Sequence, residues 1–158
     1  TQPGQPGETC VLLTDAQHDA AHPLPRPCTW GVAWLASAGT NAAGTAVSLA
    51  VQPLATWREL WLMKRTSEGW RLDVLPPAAG NPLGADTGYV EFAGWVPEGE
   101  PRVLLARESK VEGKLSRRFE VSKLADCAID KQASTPQLLA MFQRWQDPAW
   151  KRQSVSLR

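Results

Sequence analysis

Two segments about 55 residues apart repeat one another in outline, and the repeat limits this chain to few architectures. Ala38-Gly39-Thr40-Asn41-Ala42-Ala43-Gly44 precedes the apolar run Val47-Ser48-Leu49-Ala50-Val51, and Ala93-Gly94-Trp95-Val96-Pro97-Glu98-Gly99 precedes Val103-Leu104-Leu105-Ala106. A repeat of this length built from short strands is too long for a helical hairpin and has room for four strands joined by turns. It constrains architecture, not chemistry.

Strand-period segments fill both copies. Residues 30–36, 46–52, 57–65 and 70–75 are split by Gly/Asn/Pro or Ser-Glu-Gly turns, which predicts a four-stranded antiparallel meander. The polar, turn-rich run 76–88 separates it from a second set at 89–95, 102–111, 114–124 and 127–132, with Glu112-Gly113 as a tight hairpin turn. The repeats therefore span 30–76 and 89–133. Ahead of them, 9–13 reads as a short strand, and Thr14 or Asp15 caps a turn of helix through Ala21 that Pro23, Pro25 and Pro27 end. After them, Thr135 caps a helix over 135–145 with Pro136 in its first turn and Leu138, Leu139, Phe142 and Trp145 on one face, followed by a last strand over 151–157. The expected fold class is all-β: antiparallel four-stranded meanders with a short C-terminal helix. Hydrophobic residues at 43% and charged residues at 21% suit one core, so 9–158 is read as a single β domain. Residues 1–8, rich in Pro, Gly and Gln, read as a linker or trimmed end, and a start at Thr1 rather than Met suggests a segment of a longer precursor.

Trp95-Val96-Pro97-Glu98-Gly99 followed by Arg102-Val103-Leu104-Leu105-Ala106 resembles the W-S-P-D-G turn and strand of TolB-type periplasmic propellers and of the propeller domains of prolyl-oligopeptidase-like enzymes. In such blades Pro and Gly make the turn while Trp packs between neighbours, so Trp95 is expected to be buried. The first copy departs from the pattern: Thr40 replaces the Trp, and Asn41-Ala42-Ala43-Gly44 makes the turn. Residues 28–158 also look like a group of proteobacterial exported proteins, on Pro27-Cys28-Thr29-Trp30-Gly31, Gln52-Pro53-Leu54, Trp57-Arg58-Glu59-Leu60-Trp61 and Trp145-Gln146-Asp147-Pro148-Ala149-Trp150-Lys151-Arg152. These resemblances imply propeller-like blades and a periplasmic or extracellular location, with no activity and no catalytic positions. Two blades cannot close a ring that typically needs four or more. Either the chain is the end of a longer propeller, or its two sheets pack face to face, which leaves less apolar surface in water.

A formal net charge of +1 creates no field for nucleic acid or an anionic membrane, and Arg117, Arg118 and Lys123 read as a solvated strand face rather than a binding patch. No apolar run approaches the ~18 residues of a membrane span. Neither a nucleic-acid partner nor a membrane span is expected. Cys10 and Cys28 flank a loop rich in Pro, His, Ala and Asp, the kind of segment a disulfide staples, and that bond would place the chain in an oxidising compartment. Three reduced, buried thiols are the alternative. Cys127 sits where a small apolar residue packs and reads as inert.

His18 and His22 stand at i and i+4, a spacing by which a helix offers two ligands to zinc, with Asp15 the nearest extra ligand. The chain has no third His, and solvated loop histidines are the stronger reading. Phosphate loops, nucleophile elbows and cysteine clusters for a metal do not occur, so no cofactor is expected. Ser37 and Ser109 have no His at a recognisable spacing, and nothing selects a pair from Glu91, Glu98, Glu100 and Glu108. Eight tryptophans invite an aromatic platform. Alternation places Trp57, Glu59, Trp61 and Met63 on one face of their strand and Arg58, Leu60, Leu62 and Lys64 on the other; with the leucine face as core, Trp57 and Trp61 reach an edge or groove, with Trp70 across the hairpin. The resulting expectation is a noncatalytic, propeller-like β module that binds or scaffolds protein in the bacterial cell envelope. The alternatives are an accessory propeller segment of a hydrolase and a Trp-lined glycan-binding module.

Overall fold

The computed structural model describes residues 1–153, with side chains through Trp150. Three two-residue strands come first, β1 (Gln2–Pro3), β2 (Thr9–Cys10) and β3 (Cys28–Thr29). The first meander is β4 (Val32–Thr40), β5 (Ala46–Leu54), β6 (Trp57–Thr66) and β7 (Gly69–Leu75); the second is β8 (Thr87–Val96), β9 (Arg102–Val111), β10 (Lys114–Lys123) and β11 (Ile129–Ala133). A 3-10 turn (Pro136–Leu138) and two short helices, α1 (Ala140–Trp145) and α2 (Pro148–Gln153), close the described chain. The fold is all-β with a short helical C-terminal segment, and every neighbour in each meander pairs antiparallel.

The meanders meet through β6. It pairs with β5 along one edge; along the other it pairs with β7 over Leu60–Thr66 and, in parallel, with β8 at Trp57↔Gly88 and Arg58↔Tyr89. The resulting order is β11-β10-β9-β8-β6-β5-β4, with β7 branching from β6. Leu60, Leu62 and Leu75 from the first meander pack against Val90, Val103, Leu105 and Leu124 from the second, so the sheets stack face to face.

Both outer faces are covered as well. Val11 and Leu13 lie over Leu49, Val51, Trp61 and Met63, while Leu139 and Phe142 lie over Leu104, Ala106, Phe119 and Val121. Phe119, Phe142 and Trp150 meet edge to face at 5.7 to 6.2 Å, the arrangement ring quadrupoles favour. Burying each such side chain contributes roughly 1.5–3 kcal/mol. Internal symmetry survives in the backbone: a ladder irregularity precedes Gly39 in β4 and Gly94 in β8, the first strand of each meander. Glu112 and Gly113 both take positive φ, 49° and 77°, as a two-residue hairpin turn requires.

At the N-terminus, Gln2 and Pro3 pair with Cys10 and Thr9. Three sequence expectations are corrected. Residues 14–21 form successive turns instead of helix: the Asp15 carboxylate accepts the Gln17 and His18 amides and Asp19 accepts those of Ala21 and His22, capturing donors a helix would use. The single helix over 135–145 is broken at Leu139, which is extended (φ −115°, ψ 110°); the break turns Leu139 and Phe142 into the core, and Leu138 stays in solvent. Residues 151–153 belong to α2, and the rest of the strand expected over 151–157 lies outside the described residues.

Candidate binding edge and cleft

The aromatic face expected on β6 is not exposed. Trp57 and Trp61 are only 3% and 5% accessible, because the N-terminal segment covers Trp61 and the loop around Gly80 reaches Trp57. Trp70 is half-buried beneath the Arg65 guanidinium, 5.9 Å from its ring centre. Both faces of β6 are core, so no platform of Trp57, Trp61 and Trp70 stands open to a glycan. Trp95 is half-buried rather than buried, tilted against Phe92 at 4.7 Å.

Cys10 and Cys28 form the expected disulfide, and Cys127 is free. His18 and His22 are not paired on a helix; their Nδ1 atoms lie 2.8 and 3.5 Å from Asp15 and Asp19 respectively. Among the described residues, the His/Cys/Asp/Glu group that gathers three potential ligand atoms is Glu8, Cys10 and Cys28, whose sulfurs are bonded to each other. Arg117 and Arg118 leave opposite faces of β10: Arg117 lies over Phe119, Arg118 binds Glu120 at 2.8 Å, and Lys123 reaches Glu100 at 3.7 Å. No joint basic patch results. Of the four candidate carboxylates, Glu98 and Glu100 pair with Arg144 and Lys123 at the surface, while Glu108 accepts the Tyr89 hydroxyl at 2.6 Å. Burial and that carboxylate push the Tyr89 phenol upward.

A buried polar cluster also lies in the inner layer. Lys64 shares the face of Leu60 and Leu62, and its Nζ donates to the Leu124 and Ala125 carbonyls at 2.6 and 2.7 Å and meets Asp73 at 2.5 Å. The Cys127 thiol is 3.6 Å from Asp73 and 3.8 Å from Lys64, and burial pushes it up, which keeps it a thiol.

Four exposed apolar side chains cluster in β4 and just before it, at the end of the sheet order. Trp30, Val32, Trp34 and Leu35 are 62, 50, 48 and 50% accessible. β4 reads Val-Ala-Trp-Leu-Ala-Ser-Ala-Gly-Thr, nine residues without a charge. Within the same eight-stranded sheet β7 and β11 differ: β7 carries Arg71 and Asp73, and β11 carries Asp130 and Lys131. Charges on an edge discourage strand addition, and an uncharged, apolar edge invites it.

Beside β4 opens a cleft of about 300 Å³ between the two meanders. One wall is the irregular stretch Ala36–Gly39, where β4 leaves its ladder between Trp34↔Ala50 and Gly39↔Ser48. Ser37 replaces the lost pairing: its hydroxyl donates to the Trp34 carbonyl at 2.6 Å and accepts the Ala50 amide at 2.8 Å. Leu60, Val90, Phe92 and Trp150 supply apolar surface, and Arg58, Glu91 and Asp147 are the charged lining. The Trp150 indole donates to Glu91 at 2.6 Å, Arg58 lies 3.7 Å from Glu91 and over the Tyr89 ring at 5.3 Å, and Asp147 accepts the Ala149 amide at 2.8 Å.

No protein-family model, curated protein or solved structure matches this chain. The reading of the site therefore rests on its geometry. No helix among the described residues is long and apolar enough to cross a membrane.

Proposed function

We propose that this chain is a noncatalytic β module that binds another protein by accepting an extended segment along β4, in an oxidising compartment of the bacterial cell envelope. One observation carries the reading: β4 is an uncharged strand at the end of the sheet with Trp34, Val32 and Leu35 half in solvent. Strand addition uses the main-chain donors and acceptors of such an edge for affinity and its alternate side chains for selectivity. The Cys10–Cys28 disulfide supports the oxidising compartment, and two successive four-stranded meanders, each with an irregularity before its glycine, support propeller-like ancestry.

The test places a photo-crosslinking amino acid at Trp34 and, as a control, at Lys131 on the charged edge β11, in the cell that makes the protein. A partner captured at Trp34 and not at Lys131, whose segment binds the purified protein and loses about tenfold or more in affinity with Trp34→Lys or Val32→Lys, is the expected result. Unchanged affinity in both variants, with circular dichroism confirming their fold, overturns the proposal.

A further inference from the structure

We infer that the cleft beside β4 seats one uncharged aromatic side chain of the segment that β4 accepts; this rests on the strand-binding reading. At about 300 Å³ the cleft is at the small end of pockets that hold whole ligands, and it suffices for one large side chain. Its walls decide which kind. Phe92 and the Trp150 ring offer edges and faces to a third ring, with Leu60 and Val90 completing the apolar surface. Most of its charges are met inside the protein: Arg58 lies against Glu91 and over the Tyr89 face, Glu91 accepts the Trp150 indole, and Asp147 accepts the Ala149 amide, while the buried Arg58 Nε has no hydrogen-bond partner among the described residues and offers one donor to a neutral hydroxyl. A charged occupant would exchange its full hydration for that single donor and for groups committed elsewhere, at a cost an uncharged ring does not meet.

Position links the cleft to the edge. Residues Ala36–Gly39 are both a wall of the cleft and part of β4, and Ser37 has taken over the Ala50 amide there. A segment laid along β4 therefore passes the mouth of the cleft and directs one of its alternate side chains inward.

The experiment titrates the purified protein by amide and indole NMR with p-cresol, the side chain of tyrosine, and with n-butylguanidinium and propionate at the same concentrations. Saturable shifts at Ala36–Gly39, Phe92 and the Trp150 indole N–H are expected with p-cresol, with each charged probe about tenfold weaker or more. Ala149→Leu and Ala50→Leu each fill the cleft from a different wall and are expected to abolish the p-cresol shifts. The inference is overturned if p-cresol shifts nothing there, if both filled variants bind it as the unaltered protein does, or if a charged probe binds more tightly. Trp34→Lys separates the two readings. Loss of p-cresol binding with Trp34-dependent segment capture intact overturns the cleft alone. Intact p-cresol binding with segment capture indifferent to Trp34 overturns the edge, and with it the source assigned to the occupant.

Discussion

Lys64 stands in the file of Leu60 and Leu62, where an alkyl side chain would be ordinary, and three oxygens make its amine tolerable there. Asp73→Ala removes the charged one and leaves Nζ with carbonyls alone; we expect a loss of about 3–5 kcal/mol in urea unfolding, the usual cost of breaking a buried pair from one side. Burial by itself would raise the Asp73 carboxyl, but hydrogen bonding and attraction from Lys64, with Arg71 behind it, hold the group below its ordinary value. A depressed folded value means that the contribution is complete above the unfolded carboxylate range near 3.9 and declines as pH falls through the folded value. Melting temperature should therefore respond little to this pair between pH 5 and 7 and fall below about pH 4, with a shallower acid decline in Asp73→Asn. At the same scale, the sequence shows Lys64 only as one polar residue in an alternating file. The carbonyls it binds, at Leu124 and Ala125, lie 60 residues or more away along the chain and leave no local signal.

Elements carry most of what could be read in advance. β9 and β10 follow from two ten-residue runs around Glu112-Gly113, a pair that can occupy positive φ at both positions, and β5 and β6 follow from turn signals at their ends. The error over Trp57 and Trp61 has a definite cause. Alternation distinguishes a wet face from a dry one, and β6 is dry on both because Val11 and Leu13 close one side and the second meander the other. β4 is the converse case: Val-Ala-Trp-Leu-Ala has the composition of a core strand, and only its place at the end of the sheet exposes it. Gly94 was visible as part of a repeat but not for what it does. Its φ is 155°, and a Cβ there would come within 2.4 Å of the Trp145 carbonyl, where the end of α1 docks and Asp147 donates to Ala93 at 2.7 Å. Gly94→Ala should cost roughly 1–3 kcal/mol and loosen α1 and α2 first, seen as faster hydrogen exchange at Phe142 and Gln146 than in β9. The corresponding Gly39 has only the Ser48 hydroxyl near its missing Cβ, at 3.7 Å, so Gly39→Ala should be mild.

At the scale of the molecule, two stacked meanders carry a cover on each outer face, and the two covers are fastened differently. The C-terminal one is held by Leu139, Phe142 and aromatic contacts; the N-terminal one is short, with Cys10 bonded to Cys28 across paired strands and Val11 and Leu13 hydrogen-bonded to Pro27 and Pro25. Replacing Cys10 and Cys28 together with Ser should lower stability by about 2–4 kcal/mol and shift tryptophan emission to the red as the cover over Trp61 loosens. Equal stability with unshifted emission would mean that apolar contact alone holds the cover. The branching of β6 has a consequence for how the chain reaches this state. Hairpins such as β9–β10 close loops of a few residues, whereas the parallel contact of Trp57 with Gly88 closes one of about thirty, so the entropy of bringing ends together weighs most on that junction. Neighbouring strands can find each other quickly and locally. The time to native structure is then set by the encounter of two hairpin assemblies, whose backbone ladder is only two residues wide and which meet otherwise through side chains.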